Sequence, residues 1–358
     1  MIVKHAEKGT ICTHHKVLAF LMWLVFLNQA QAAPPDVLFL SRDILNITLT
    51  APFGEIDRAR DKDTEYEGTL RYTESNNAEV VLDVKLQVRG NYRLQASVCR
   101  YSQLWINIKT GQAEGTLFEH QDNLKLVAQC KDGDQYAEYI AKEEQAYRLF
   151  NSVSELSLVS RMLNATYIDS ENPKEQRTHL AFFVEHQKRL AKRFDLENVE
   201  LNSVAVTDLK PDQSSLTSLF MFLVGNTDYS LFTATEGEEC CHNAKLLVDQ
   251  NGSYFPIPYD FDASGFVDAN YAADPAPSLK ISSNRQRLFR GYCIQQAEVA
   301  SSIAKIEAAR ETMLAIVADT TFVKPATAKR SAEYLNRFFE IVGKESSRED
   351  QIVEACRG

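Results

Sequence analysis

The sequence predicts an α+β protein of two lobes, a β-rich N-terminal lobe and a mainly helical C-terminal one. Three features predict it. Residues 36–108 carry strand periodicity, and residues 294–317 and 327–342 carry amphipathic helical stripes. Beyond the first 32 residues about 326 remain, enough for two lobes with a substantial core. The expected division is a leader at 1–32, a β-rich lobe at 33–184 and a helical lobe at 185–358.

The leader reads as a secretory signal peptide. Lys4, Lys8 and Lys16 precede the apolar run 17–27, and Ala30-Gln31-Ala32 offers a small-x-small cleavage site. That run is too short to cross a hydrocarbon core, which needs about twenty residues. No later stretch is long enough, so no transmembrane anchor is expected and the mature chain should reside in a periplasm or outside the cell. Cysteine usage points the same way: beyond Cys12 an even set remains, Cys99, Cys130, Cys240, Cys241, Cys293 and Cys356. Disulfides are expected, with their pairing open. A structural zinc site is disfavoured, since only Cys240-Cys241-His242 clusters ligands. The whole chain carries a net charge of −10, and without the leader −12. Such a surface argues against nucleic acid and anionic lipid as partners.

Within the β-rich part, residues 45–49 alternate apolar and polar, and the charged stretch 55–67 reads as an exposed loop. Val80, Leu82, Val84, Leu86 and Val88 then fall on one face of a strand that ends in Arg89-Gly90-Asn91-Tyr92-Arg93. Lys125 lies inside the apolar run 124–128, where an unpaired ammonium is costly, so it should meet an anionic partner or ligand. Glu143 shares a helical stripe with Tyr136, Ile140, Tyr147 and Phe150, while Glu144 points away from it. Strand-like stretches at 157–168 and 180–184 follow, the second reaching Glu185. Arg285, Arg287 and Arg290 are either a solvated or carboxylate-paired basic face or a holder of phosphate or acidic substrate.

The chemistry-bearing residues concentrate at 216–265. Leu216, Leu219, Phe220 and Leu223 recur at helical spacing up to Gly225, and a polar loop carrying Asp228 follows. A hairpin turning at Asn251-Gly252 then delivers Asp260 and Asp262 to a strand end. Asp260, Asp262, Ser264 and Gly265 also fit the first positions of a calcium loop. Tyr271 stands where that loop needs a bidentate Glu, and the segment follows a strand rather than a helix.

Asn226-Thr227-Asp228, His242-Asn243 and Pro258-Tyr259-Asp260-Phe261-Asp262, in that order, resemble the motifs of the CotH-type atypical kinase family. Arg89-Gly90-Asn91 is similar to the Arg-Gly-Asn that ends an early strand there. The resemblance implies a two-lobed protein-kinase-like fold and Mg²⁺- or Mn²⁺-dependent transfer of the ATP γ-phosphoryl group to a protein Ser or Thr. On that basis Lys125 contacts phosphates and Glu143 orients it, Asp228 acts on the acceptor hydroxyl, and Asp260, Asn243 and Asp262 hold metal. Arg89 and Glu185 border the nucleotide. Asn243 lies fifteen residues after Asp228, where a typical kinase leaves about five, so residues 236–241 read as an insertion. A different class stays open: an exported, non-catalytic ligand-binding protein on the same scaffold.

Overall fold

The computed structural model describes residues 1–3, 32–234 and 240–358. Most of the expected signal peptide, residues 4–31, and most of the expected 236–241 insertion lie outside the described residues. Seven strands form the first part of the chain: β1 (Leu45–Ala51), β2 (Glu65–Thr73), β3 (Glu79–Arg89), β4 (Gln103–Ile108), β5 (Asn123–Ala128), β6 (Ser160–Asp169) and β7 (Gln176–Val184). They pair in the order β1-β2-β3-β4-β5-β7-β6, and β6 returns parallel to β1 to close a barrel. Every other neighbouring pair is antiparallel.

The alternation read from β3 fills this barrel. Leu82, Val84, Leu86 and Val88 are buried with Leu49, Leu70, Ile106, Leu124, Leu126 and Phe183 in one apolar cluster. Two short helices flank the strands, α1 (Phe53–Ala59) and α2 (Thr110–Ala113). Helix α1 occupies part of the stretch expected as a charged loop, because Phe53 and Ile56 insert under the barrel and anchor it.

The other face of the barrel wall meets a second core. Because neighbouring residues on a strand point to opposite faces, β5 sends Leu124 and Leu126 inward and Val127 outward, and β7 sends Phe183 inward and Phe182 outward. Against Val127 and Phe182 packs the long α3 (Asp134–Asn151), and beyond α4 (Gln187–Arg193) the almost wholly buried α5 (Pro211–Val224) joins the same core, with Phe220 edge-on to Phe150 of α3. The same core holds the small sheet of β8 (Glu197–Asn198), β9 (Ala244–Val248) and β10 (Tyr254–Pro258), together with α6 (Val299–Ala308), α7 (Arg310–Ala318) and α8 (Pro325–Gly343). The expected helix at 294–317 is thus broken at Ala309, between α6 and α7.

The expectation of a two-lobed, kinase-like α+β fold is corrected by this topology. A closed seven-stranded barrel with a small second sheet and helices is not a two-lobed kinase fold. Strand periodicity reports which face of a strand is buried; the closing contact joins Leu45 to Leu163, and no local pattern specifies it. Three disulfides, Cys99–Cys130, Cys240–Cys241 and Cys293–Cys356, join all six expected cysteines. Among the described residues no helix is long and apolar enough to cross a membrane.

Candidate functional site

The site starts from Lys125. The register that pairs Lys125 with Trp105 of β4 and Val184 of β7 turns its side chain out of the barrel, on the face that carries Val127. Its ammonium is buried 3.6 Å over the centroid of the Tyr259 ring and 3.7 Å from Asp260 Oδ2. Burial is the largest influence on this amino group and pulls its pKa down, while the Asp260 carboxylate opposes that.

Asp260 is placed by what surrounds its backbone. It follows β10 with φ +59°, its N–H donates to the Tyr147 hydroxyl at 3.1 Å, and its carbonyl accepts from the Asn226 side chain at 3.3 Å. Phe261, fully buried, packs edge-on against Tyr147 and Phe220. That anchor leaves Asp260 and Asp262 on either side of it facing the same cations. Burial alone would raise the Asp260 carboxyl, but Lys125, Arg93 and Arg89 outweigh it and lower its pKa to about 2.

Arg93 is the hub of the cluster. It sits in a short 3₁₀ turn, Tyr92–Leu94, just beyond β3. Its guanidinium lies 3.0 Å from Asp262, 3.8 Å from Asp260 and 4.0 Å from Glu143. Burial works against its charge, but Asp262, Tyr271, Glu143 and Asp260 together hold it protonated. Glu143 reaches the cluster from α3 and is completely buried; burial raises its pKa to about 8, against the pull of Arg93. Burial also raises Asp262, with Arg93 opposing. Lys125 and Glu143 therefore share one cluster but take different ion-pair partners, Asp260 for the lysine and Arg93 for the glutamate.

Several polar atoms in the cluster are buried without a hydrogen bond among the described residues: Lys125 Nζ, Arg93 Nη1, Asp260 Oδ1 and both carboxylate oxygens of Glu143. Such atoms are uncommon in folded proteins and each is costly. The cluster reaches solvent through its aspartates, whose side chains are 24% and 17% exposed for Asp260 and Asp262.

A second group stands beside it. Gly225 ends α5 at φ +64° under the Tyr334 hydroxyl, where a Cβ would collide, and its carbonyl accepts from Gly265 N–H at 3.0 Å. The loop that follows carries Asp228. Asn226 Oδ1 accepts from the Asp228 N–H at 3.0 Å, and Arg290 holds the carbonyls of Thr227 and Tyr229. Asp228 is 60% exposed; its Oδ1 lies 3.0 Å from His242 Nε2, and the Asn243 amide donates to its backbone carbonyl and, at 3.2 Å, to Oδ2. The two groups adjoin, because Asn243 accepts from Tyr259 N–H at 3.2 Å and Asn226 spans from Asp228 to Asp260. A pocket of about 330 Å³ opens at Asp228 and His242.

The remaining expected residues divide. Arg89 ends β3 with its guanidinium over Trp105, close enough to Lys125 and Asp260 to act on both charges. Glu185 follows the strand partner of Lys125, yet its carboxylate is clasped by Arg193 at 2.8 and 2.9 Å, and its N–H donates to Val159. Asn243, expected at a metal, donates from its amide nitrogen to the backbone carbonyl and the carboxylate of Asp228. Glu144, expected to point away, is buried and accepts from Ser160 of β6 at 3.0 Å. Of the three arginines, Arg285 pairs with Asp268, whereas Arg287 and Arg290 bind backbone carbonyls. The residue that sequence reasoning passed over is Arg93, whose only signal is an arginine just past a strand end. Among the described residues no group of three or more His, Cys, Asp or Glu is arranged to hold a metal ion by itself. Compared with known proteins, the chain matches no family model, no curated protein and no solved structure.

Proposed function

We propose that the chain is an exported phosphotransferase that moves the γ-phosphoryl group of ATP to a hydroxyl, most simply a protein Ser or Thr. The proposal concerns the chemistry and not the kinase fold that the topology overturns. One observation carries it: buried, unbonded polar atoms of both signs converge at Lys125, Arg93, Glu143 and Asp260, beside an exposed Asp–His–Asn group. Phosphoryl transfer asks a protein mainly to position groups and balance charge. In this reading Lys125 and Arg89 meet phosphate oxygens. Glu143 and Arg93 hold the cluster in place, and Asp228 steers the acceptor hydroxyl and receives its proton. The likeness of the Asn226–Asp228, His242-Asn243 and Pro258–Asp262 motifs to CotH-type kinases supports the same roles.

Mg²⁺ bound with nucleotide phosphates needs only one or two protein carboxylates. Asp260, with Oδ1 unbonded, fits that requirement and Asp262 stands beside it; Asn243, whose amide nitrogen donates to Asp228, would offer its side-chain oxygen. Bound there, the metal would neutralise charge on the phosphate oxygens. The disulfides fit an oxidising compartment, and we assign the mature chain to a periplasm or the exterior, after removal of residues 1–32.

A non-catalytic ligand-binding role is the second reading. It is favoured by Arg93, which already neutralises Asp262 at 3.0 Å. Radiolabelled phosphate transfer to the protein itself and to a generic acceptor, with ATP titrations with and without metal, separates the two. Asp228→Asn should abolish transfer and keep metal-dependent ATP binding, while Asp260→Asn should lose both. Wild-type protein that binds no nucleotide under any divalent ion would refute the enzyme, and binding without transfer would leave the ligand-binding role.

A further inference from the structure

A second charged pocket lies between α3, the segment after Asp262, and the N-terminal end of α8. It encloses about 400 Å³, and four cations line it: Lys142, Arg285, Lys324 and Arg330. Only two carboxylates do, Glu138 and Asp268, on a chain whose net charge is −10. Both carboxylates are engaged. Glu138 accepts from the Lys324 N–H at 3.0 Å and the Thr327 hydroxyl at 2.7 Å, and Asp268 pairs with Arg285.

The Lys324 ammonium pairs with Asp134 at 3.1 Å, and the remaining two cations are held differently. Lys142 donates to the Val267 carbonyl at 2.6 Å and Arg330 to the Thr327 hydroxyl at 2.8 Å, so neutral oxygens hold both. An ammonium has three donors, and the Lys142 stem is half-buried with its amino group against the Phe266 ring. Burial lowers its pKa to about 8, with Asp268 opposing, as for a cation short of compensating anion. The start of the 19-residue α8 adds the positive end of a helix dipole. Hydroxyls of Tyr139 and Ser331 stand on the same walls.

We propose that this pocket binds a phosphomonoester, its dianion set among Lys142, Arg285 and Arg330 and its oxygens met by the neighbouring hydroxyls. The ester is either free in solution or carried on a phosphorylated residue. The site is separate from the Asp260 cluster, although α3 serves both: Lys142 and Glu143 are consecutive, and one lines this pocket while the other enters the cluster.

Calorimetric titration of the mature chain with inorganic phosphate, O-phosphoserine and a short phosphoserine peptide, at matched chloride, tests it. Saturable binding is expected, weakened about tenfold by Arg330→Gln or by Lys142→Gln and unchanged in Lys125→Met. Arg330 is exposed, so Arg330→Gln reads binding without threatening the fold. A peptide that binds as the free ester does identifies a phosphorylated chain as ligand; a peptide excluded while phosphate and phosphoserine bind identifies a free ester. Absence of saturable binding by all three probes would overturn the proposal. So would binding that Lys125→Met abolishes while Arg330→Gln and Lys142→Gln leave it intact.

Discussion

Replacing Lys125 with Met removes a charge and keeps most of an apolar stem, so it separates a ligand-binding lysine from a structural one. The ammonium lies 3.7 Å from Asp260, a distance at which opposite charges attract by about 4 kcal/mol at the effective dielectric typical of proteins. Burial of the ammonium outweighs that attraction and holds its pKa below the usual lysine value. Asp260 also keeps Arg93 at 3.8 Å once the lysine is gone. The variant should therefore lose less than about 2 kcal/mol of stability, below the ~3–5 kcal/mol usual when a buried charge is stranded alone. ATP affinity should suffer more, because a charged hydrogen bond to phosphate is worth about 1.5–3 kcal/mol, roughly a ten- to hundredfold weakening. Urea unfolding of both proteins gives the first quantity, and calorimetric titration of ATP with Mg²⁺ gives the second. A large stability loss with unchanged ATP affinity in the folded variant would show that Lys125 serves the fold and would refute its phosphate role.

Arg93→Met should be the most destabilising single change in the cluster, by about 3–5 kcal/mol in urea unfolding, since it takes from the buried Asp262 carboxylate its cation at 3.0 Å. Glu143→Gln should change the dependence of stability on pH. A carboxyl whose folded pKa is raised binds more protons in the native state, so its contribution is full below the ordinary glutamate pKa and is lost as pH rises through about 8. The gap in melting temperature between Glu143→Gln and wild type should accordingly move in favour of the variant between pH 5 and pH 8.5; a gap that stays flat would mean that Glu143 is ionised throughout. Intact mass of the mature chain should show no thiol available to alkylation before reduction and six after it, matching three disulfides.

Much of the local structure was legible in side-chain periodicity. The alternating valines and leucines of β3 fill the barrel, and the apolar surroundings of Lys125 and Glu143 marked two charges that share a buried cluster. Periodicity identifies the buried face and leaves open which element will cover it. The exchange of partners, Lys125 to Asp260 and Glu143 to Arg93, was therefore out of reach. Arg93 itself lies in a polar run after a strand, where arginines are ordinarily solvated. Barrel closure was hidden for a related reason: β1 and β6 each look like any other apolar strand, and their pairing is a property of the whole chain.

That closing pair also governs how the protein must assemble. Leu45 finds its parallel partner Leu163 only 118 residues later. Contacts this distant in sequence form slowly, since loop closure must be completed before the pairing stabilises anything. During synthesis β1 can pair with β2 early, but its second edge stays open until β6 arrives. An exposed strand edge is a template for pairing with another chain. The finished barrel has no such edge, so the chain is most vulnerable to aggregation before β6 docks, and any truncation between β3 and β6 should leave an insoluble product.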